Sequence, residues 1–238
     1  MLQKIGVWVL LLTAAILTGC VQPPKKMAFN QAMATDVKTV VIVRDPDQER
    51  YEAIMIGHPG AGFGLIGGLV AAADMHAKGS RLTEAIKAKK TTLQERFEKV
   101  LAERLELQGY NTLNIVLPKD TKEEDMLATA RKMGIQADAV LCVRLSGGYV
   151  AAGPTSDYFP AVNVKVVLSD RGDKELYADS FSYGYTVPQS KAIHFTSEEQ
   201  YRFSNIDTLI SDPKKTRQGL IAGLDVIATQ ISMDLKRP

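Results

Sequence analysis

Apolar and polar residues alternate along this chain in blocks whose period changes from one segment to the next, and the changes mark the elements. Ile5 to Ile16 (IGVWVLLLTAAI) is an unbroken apolar run behind the single charge of Lys4. Lys38 to Arg44 (KTVVIVR) is β-branched and predicts a strand; Tyr51 to Ile56 predicts a second strand returning beside it. Thr92 to Gln108 places Leu93, Phe97, Val100, Leu101 and Leu105 on one helical face. Thr92 and Glu95 have the spacing of a capping box, and Gly109 stops the helix. Tyr110 to Leu117 predicts a strand. Thr121 with Glu124 then opens a helix carrying Met126, Leu127, Ala130 and Met133, closed by Gly134. Three strands follow, over Ala139 to Leu145 with an extension toward Ala152, Ala161 to Leu168, and Glu175 to Val187. The turn Ser169 to Asp173 joins the last two as a hairpin. Asp212-Pro213 caps a final helix with Leu220, Ile221, Leu224, Ile227, Ala228 and Ile231 on one stripe. The expected architecture is mixed α/β. One mixed sheet of about five to six strands packs with three main helices and carries a glycine-rich apolar insertion.

The first apolar run changes the reading of everything after it. A bilayer core needs roughly 20 apolar residues to be spanned; this run stops short and ends in a small-residue processing site, Leu17-Thr18-Gly19-Cys20. That tetrapeptide resembles the lipobox of bacterial lipoproteins. The resemblance implies cleavage before Cys20, acylation of its sulfur and firm attachment to membrane lipid, because more than one acyl chain holds stably. Val21 follows where the enterobacterial sorting rule would place Asp for inner-membrane retention, so the expected location is the outer membrane, facing the periplasm. The domain expectation is a signal peptide over 1–19, a lipidated cysteine and flexible tether over 20–37, and a single mixed α/β domain over 38–238. Within that domain, 57–79 is a glycine-zipper-like insertion.

Removing residues 1–19 takes one positive charge from the formal +2, leaving a near-neutral chain. Such a chain has no electrostatic case for nucleic acid. The chain has two cysteines, so acylation of Cys20 leaves Cys142 without a disulfide partner; its apolar run predicts a buried, inert thiol. Asp74-x-His76 has two metal-ligand types, but His58 and His194, the other histidines, have no supporting spacing. Glu123, Glu124 and Asp125 read as first-turn acids. No metal, cofactor or catalytic site is expected. The aromatics Tyr149, Tyr158, Phe159, Phe195, Tyr201 and Phe203 in long connections fit either an interface or a tuck onto the core.

Gly57 to Ala73 (GHPGAGFGLIGGLVAAA) supports three readings. Gly62, Gly64 and Gly67 match G-x-G-x-x-G, yet the acidic residue at dinucleotide spacing is Glu84, in a helical, charged stretch without the required second strand. Gly60, Gly64, Gly68 and Ala72 recur at i+4 as a glycine zipper, a helix-packing or membrane-contact device, and Ala53 to Ala73 is long enough to reach across a bilayer. The third reading is a glycine-rich loop packed on the domain.

The order βαβα, three sequential strands and a C-terminal helix behind a lipobox resembles an envelope-lipoprotein fold. It is that of curli-secretion lipoproteins, of the lipoprotein activators of penicillin-binding proteins, and of the N-terminal domain of the translocation protein TolB. The likeness runs from about Lys38 to Leu235 and rests on element order. It implies a non-enzymatic docking or assembly module for envelope proteins, with a possible homo-oligomer, and transfers no functional residue. The alternatives are a membrane-inserting or secretion-associated component, and a periplasmic small-ligand or cell-wall enzyme.

Overall fold

A computed structural model describes residues 25–45, 50–87, 91–185 and 190–237. Leu17, Thr18, Gly19 and Cys20 lie outside the described residues, as do Pro46 and Asp47 between the first two predicted strands and Val187 at the end of the last predicted strand.

The protein is mixed α/β with one mixed seven-stranded sheet. The strands are β1 (Thr39–Arg44), β2 (Glu52–Met55), β3 (Asn111–Val116), β4 (Ala139–Ala151), β5 (Tyr158–Asp170), β6 (Glu175–Gly184) and β7 (Ile193–Phe195). The helices are α1 (Gly64–Ile86), α2 (Leu93–Leu107), α3 (Met126–Lys132), α4 (Ile206–Ser211) and α5 (Pro213–Asp234). Strand order is β3-β1-β4-β5-β6-β7. β1 runs parallel to β3 and β4, β4 to β6 form an antiparallel meander, and β7 runs parallel to β6. The sheet therefore exceeds the expected five to six strands by a short edge, and α1 and α4 add to the three expected helices.

β2 does not return beside β1. β4 is long enough to carry two parallel partners on one edge, β1 along Ala139–Val143 and β2 along Gly148–Ala151. Gly148 makes the second pairing fit, since a Cβ there would lie 2.1 Å from the Glu52 carbonyl oxygen.

Local signals behave as their chemistry requires at most ends. The Thr92–Glu95 capping box opens α2, and the Asp212 side chain accepts from the Lys215 amide to open α5. The α3 start differs. Thr121 Oγ1 donates to the Pro118 carbonyl, a single 3-10 turn fills Glu123–Asp125, and the helix begins only at Met126. A threonine hydroxyl satisfied by a backbone turn is not available to cap.

The main core lies between the sheet and α1, α2 and α5; α3 covers the opposite face over Val41, Val43 and Val140. Three tyrosine hydroxyls hold α5. Tyr149 donates to the Thr216 carbonyl (3.0 Å), Tyr177 to Asp234 (2.7 Å) and Tyr110 to the Leu235 carbonyl (2.8 Å). Within the expected tether, the described residues 25–37 lie against the sheet. Met27 bridges Ala178 on β6, Lys25 pairs with Glu175, and Ala34 and Val37 are buried.

Candidate interaction surface

The glycine-rich segment folds as a connector followed by one long helix. A 3-10 turn, Pro59–Gly62, leads into α1, whose 23 residues run without a break through the run that had three readings. The stretch from Ala53 to Ala73 is thus divided among strand, turn and helix, which corrects the bilayer-crossing reading. Among the described residues no helix is long and apolar enough to cross a membrane. The dinucleotide reading fails on topology. Gly62 ends the turn after a strand and Gly64 and Gly67 open the helix that follows, but Glu84 sits on that same helix, and α1 is followed by α2 instead of a second strand.

α1 meets the fold along one side only. Gly67, Ala71, Gly79, Leu82 and Ile86 are its buried residues. β2 runs back along it, with Thr83 Oγ1 accepting from the Tyr51 amide (2.9 Å) and donating to the Tyr51 carbonyl (3.2 Å). Farther along, His58 joins the connector to the helix. Its Nδ1 accepts from the Gly60 amide (3.0 Å), which leaves Nε2 to donate to Asp74 (3.1 Å). Lys78 reaches the same carboxylate at 2.6 Å from the next turn. The Lys78 ammonium, with the His58 bond adding to it against partial desolvation, holds the Asp74 carboxyl below its ordinary range. The predicted Asp74/His76 pairing is not what the fold assembles: Asp74 faces His58 and Lys78, while His76 is exposed on the next side of the helix. His194 is elsewhere, beside Ser182 Oγ at 3.3 Å on the β6–β7 edge.

Beyond this clamp the helix has little under it. The ten residues before Asp74 rise about 15 Å, and the 57–63 connector is what lies against them. Phe63, Leu65, Ile66, Leu69 and Val70 there are 78%, 82%, 78%, 63% and 58% exposed. The zipper residues are placed as follows. Gly60 lies in the 3-10 turn, off the helix, its missing Cβ 3.0 Å from the Gly67 oxygen; Gly64 and Gly68 have nothing within 4 Å; Ala72 is exposed. The buried glycine of this region is Gly67, where a Cβ would meet the Gly60 oxygen at 2.1 Å. Its neighbour in the i+4 series is Ala71, one position out of register with the predicted stripe.

A groove of about 690 Å³ continues from this helix along β2, lined by Ala53, Ile54, Met75, His76 and Thr83 among others. β2 pairs with β4, while Thr83 holds the Tyr51 amide and carbonyl at its start and Gly79 of α1 packs against Tyr51 and Ala53. Among the described residues, an apolar helix tip and an apolar groove thus adjoin on one side of the molecule.

The remaining candidates serve the fold. Cys142 is partly covered in β4, and burial pushes its thiol up to about 12, so it stays protonated at neutral pH. Tyr149, Tyr158 and Phe203 are buried; Tyr149 meets Phe203 edge-on at 5.6 Å, and Phe159 lies under the Arg202 guanidinium at 4.7 Å. Glu123 pairs with Arg144 (3.0 Å) and Lys165 (3.5 Å) across the sheet instead of standing as a bare helix-end acid. Sequence reasoning missed one internal polar pair, Arg44 and Glu98, joined at 2.6 Å with both side chains under 10% exposed. Glu98 on the apolar side of α2 was the available signal.

No family model and no curated protein matches this chain. Among solved structures it is similar to a minor lipoprotein from Acinetobacter baumannii, with 12% identity, 63% of this chain and 87% of that one covered, and a TM-score of 0.37. A DUF330-family protein from Xanthomonas campestris matches at 9% identity over 89% of both chains, with a TM-score of 0.39. The PelC dodecamer from Paraburkholderia phytofirmans matches at 12% identity over 91% of this chain and 95% of that one, with a TM-score of 0.32. At these scores the likenesses carry no argument about activity or assembly.

Proposed function

We propose that this chain is a bacterial lipoprotein, anchored through acylated Cys20 at the outer membrane and facing the periplasm, where it serves as a non-enzymatic docking module for other envelope proteins. The lipobox Leu17-Thr18-Gly19-Cys20 behind the apolar run carries the anchoring. The docking role is supported by the adjoining helix tip and groove, since contiguous apolar surface on a folded domain marks a contact site. It is further supported by the engagement of the reactive residue types in bonds that hold the fold. His58 and Asp74 clamp α1, Glu123 ties two strands, and the Cys142 thiol is held neutral.

Intact-mass measurement of the chain extracted from membranes is expected to find diacylglycerol on Cys20 and no residues 1–19, and Cys20→Ala is expected to abolish both the acyl mass and the removal of residues 1–19. A photo-crosslinker at Ile54, in the groove, is expected to give a discrete adduct with one envelope protein that the same group at Asn114 on β3 does not give. A free Cys20 thiol, or a soluble chain retaining residues 1–19, overturns the anchoring; identical products from the two positions overturn the docking role.

A further inference from the structure

We infer that His58 is a pH-sensitive latch: a second proton on its ring opens the turn Pro59–Gly62 and loosens the N-terminal end of α1, which rests on that turn.

The latch follows from which atoms can donate. The Gly60 amide can only donate, and it lies 3.0 Å from His58 Nδ1, so that nitrogen presents its lone pair and the ring is neutral. The ring's one proton then sits on Nε2, which donates to Asp74 at 3.1 Å. A second proton has a single place to go. It turns Nδ1 from acceptor into donor, and two N–H groups then face each other across the contact that caps the turn. The ring, 13% exposed and fixed to Asp74, has little freedom to turn away. Pro59 is exposed and Gly60 half-buried, so the turn yields and the freed amide reaches water.

The other groups near the ring act alike on the closed and the open turn. Asp74 holds Nε2 in both, and Lys78, 2.6 Å from that carboxylate, keeps it ionised. Tyr158 on β5 lies near the same two residues; burial pushes its hydroxyl up, so it stays neutral. The backbone at Ala152 and Gly153, against which Gly57 packs, brings no charge. What distinguishes the two arrangements is the Gly60 bond. The closed turn therefore binds one proton fewer than the open one, and it is lost as pH falls through the range in which imidazoles charge. The opening is passed on to α1. The Gly60 carbonyl accepts from the Phe63 amide (3.2 Å) and packs where Gly67 lacks a Cβ, and the Phe63 carbonyl accepts from the Gly67 amide (3.4 Å). The other two histidines are not placed this way: His76 is exposed, and His194 meets the Ser182 hydroxyl, which can donate or accept.

The test is NMR on the chain purified from membranes in detergent, with 15N in histidine and glycine, titrated from about pH 8 to about pH 5. At the alkaline end the expected His58 ring is neutral with its proton on Nε2, and the Gly60 amide is protected from exchange. As the ring charges, the Gly60 resonance is expected to move on the same titration curve. Exchange protection, corrected for the intrinsic pH dependence, is expected to fall about tenfold at Gly60 and Gly67, the scale of one hydrogen bond, and to hold at Gly219 and Gly223 of α5. His58→Asn keeps a side-chain acceptor for the Gly60 amide and does not titrate; its Gly60 protection is expected to be flat across the range. A Gly60 amide that stays protected after the ring is charged overturns the latch, as does a neutral ring with its proton on Nδ1. Equal loss of protection in His58→Asn also overturns it, since acid then acts elsewhere. The docking reading is separate from the latch and is decided by the Ile54 crosslink.

Discussion

Two helices in this protein carry glycines four residues apart, and they use them in opposite ways. In α5, Gly219 and Gly223 are buried, and a Cβ would stand 2.4 Å from Tyr149 Oη at the first and 2.5 Å from the Tyr183 ring at the second. In the exposed half of α1, Gly64 and Gly68 have nothing within 4 Å. The spacing is the same in both. In α5 the missing side chains make a trough that tyrosines from β4 and β6 fill, and Tyr149 donates into the helix backbone from within it. In α1 the buried line is Gly67 and Ala71, one residue around from the expected stripe, and the small residues beside it face outward. A small-residue repeat records that something must come close only where something does.

Substitutions test that contrast most sharply in α5. Gly223→Val is expected to lower unfolding free energy by about 3 kcal/mol, because the Tyr183 ring has no room to retreat within the sheet core. Urea denaturation monitored by far-UV circular dichroism measures it, and an unchanged midpoint would break the comparison at its firm end. Gly67→Ala comes next. Its methyl meets the Gly60 carbonyl, so roughly 1–3 kcal/mol is lost, with faster hydrogen exchange confined to the 57–63 connector. Gly68→Ala, one residue away, is expected to change sign and gain roughly 0.5–1 kcal/mol, since alanine gives up less backbone entropy and finds open space. Loss of stability there would mean that the stripe is packed after all.

Polar substitution on the outer face has a smaller effect still. Leu65→Ser is expected to leave unfolding free energy within about 0.5 kcal/mol in urea denaturation, because Leu65 is exposed; a loss typical of a packed core leucine would show that the tip is covered. The smallest effect belongs to pH. The folded-state carboxyl of Asp74 titrates below its ordinary value of 3.8, so its contribution is complete above that value and is lost as pH falls through the depressed one. The Asp74 carboxyl carbon shift, followed by NMR from neutrality down through acid pH, is expected to titrate below 3.8. Titration at or above that value would show that Lys78 and His58 do not hold the carboxylate.

Much of the fold was legible because its signals are local. The capping box at Thr92, the Asp212-Pro213 start, the glycine stops at Gly109 and Gly134 with their positive φ values, and the 169–173 hairpin each depend on a few neighbouring residues. The interaction surface was legible only as a compositional oddity. Nothing within Gly57 to Ala73 states that His58 will find Asp74 sixteen residues on, or that β2 will pair with the far half of β4 instead of β1. Both depend on contacts distant in sequence.

The sequence by itself determined most of the run of strands and helices, the lipobox-like pattern Leu17-Thr18-Gly19-Cys20 and the near-neutral charge, because periodicity and caps act over short stretches of chain. Tertiary structure alone decided which face of the glycine-rich helix is covered. Burial is a property of what arrives from elsewhere: the tyrosines of β4 and β6 reach the glycines of α5, and among the described residues none reaches Gly64 and Gly68.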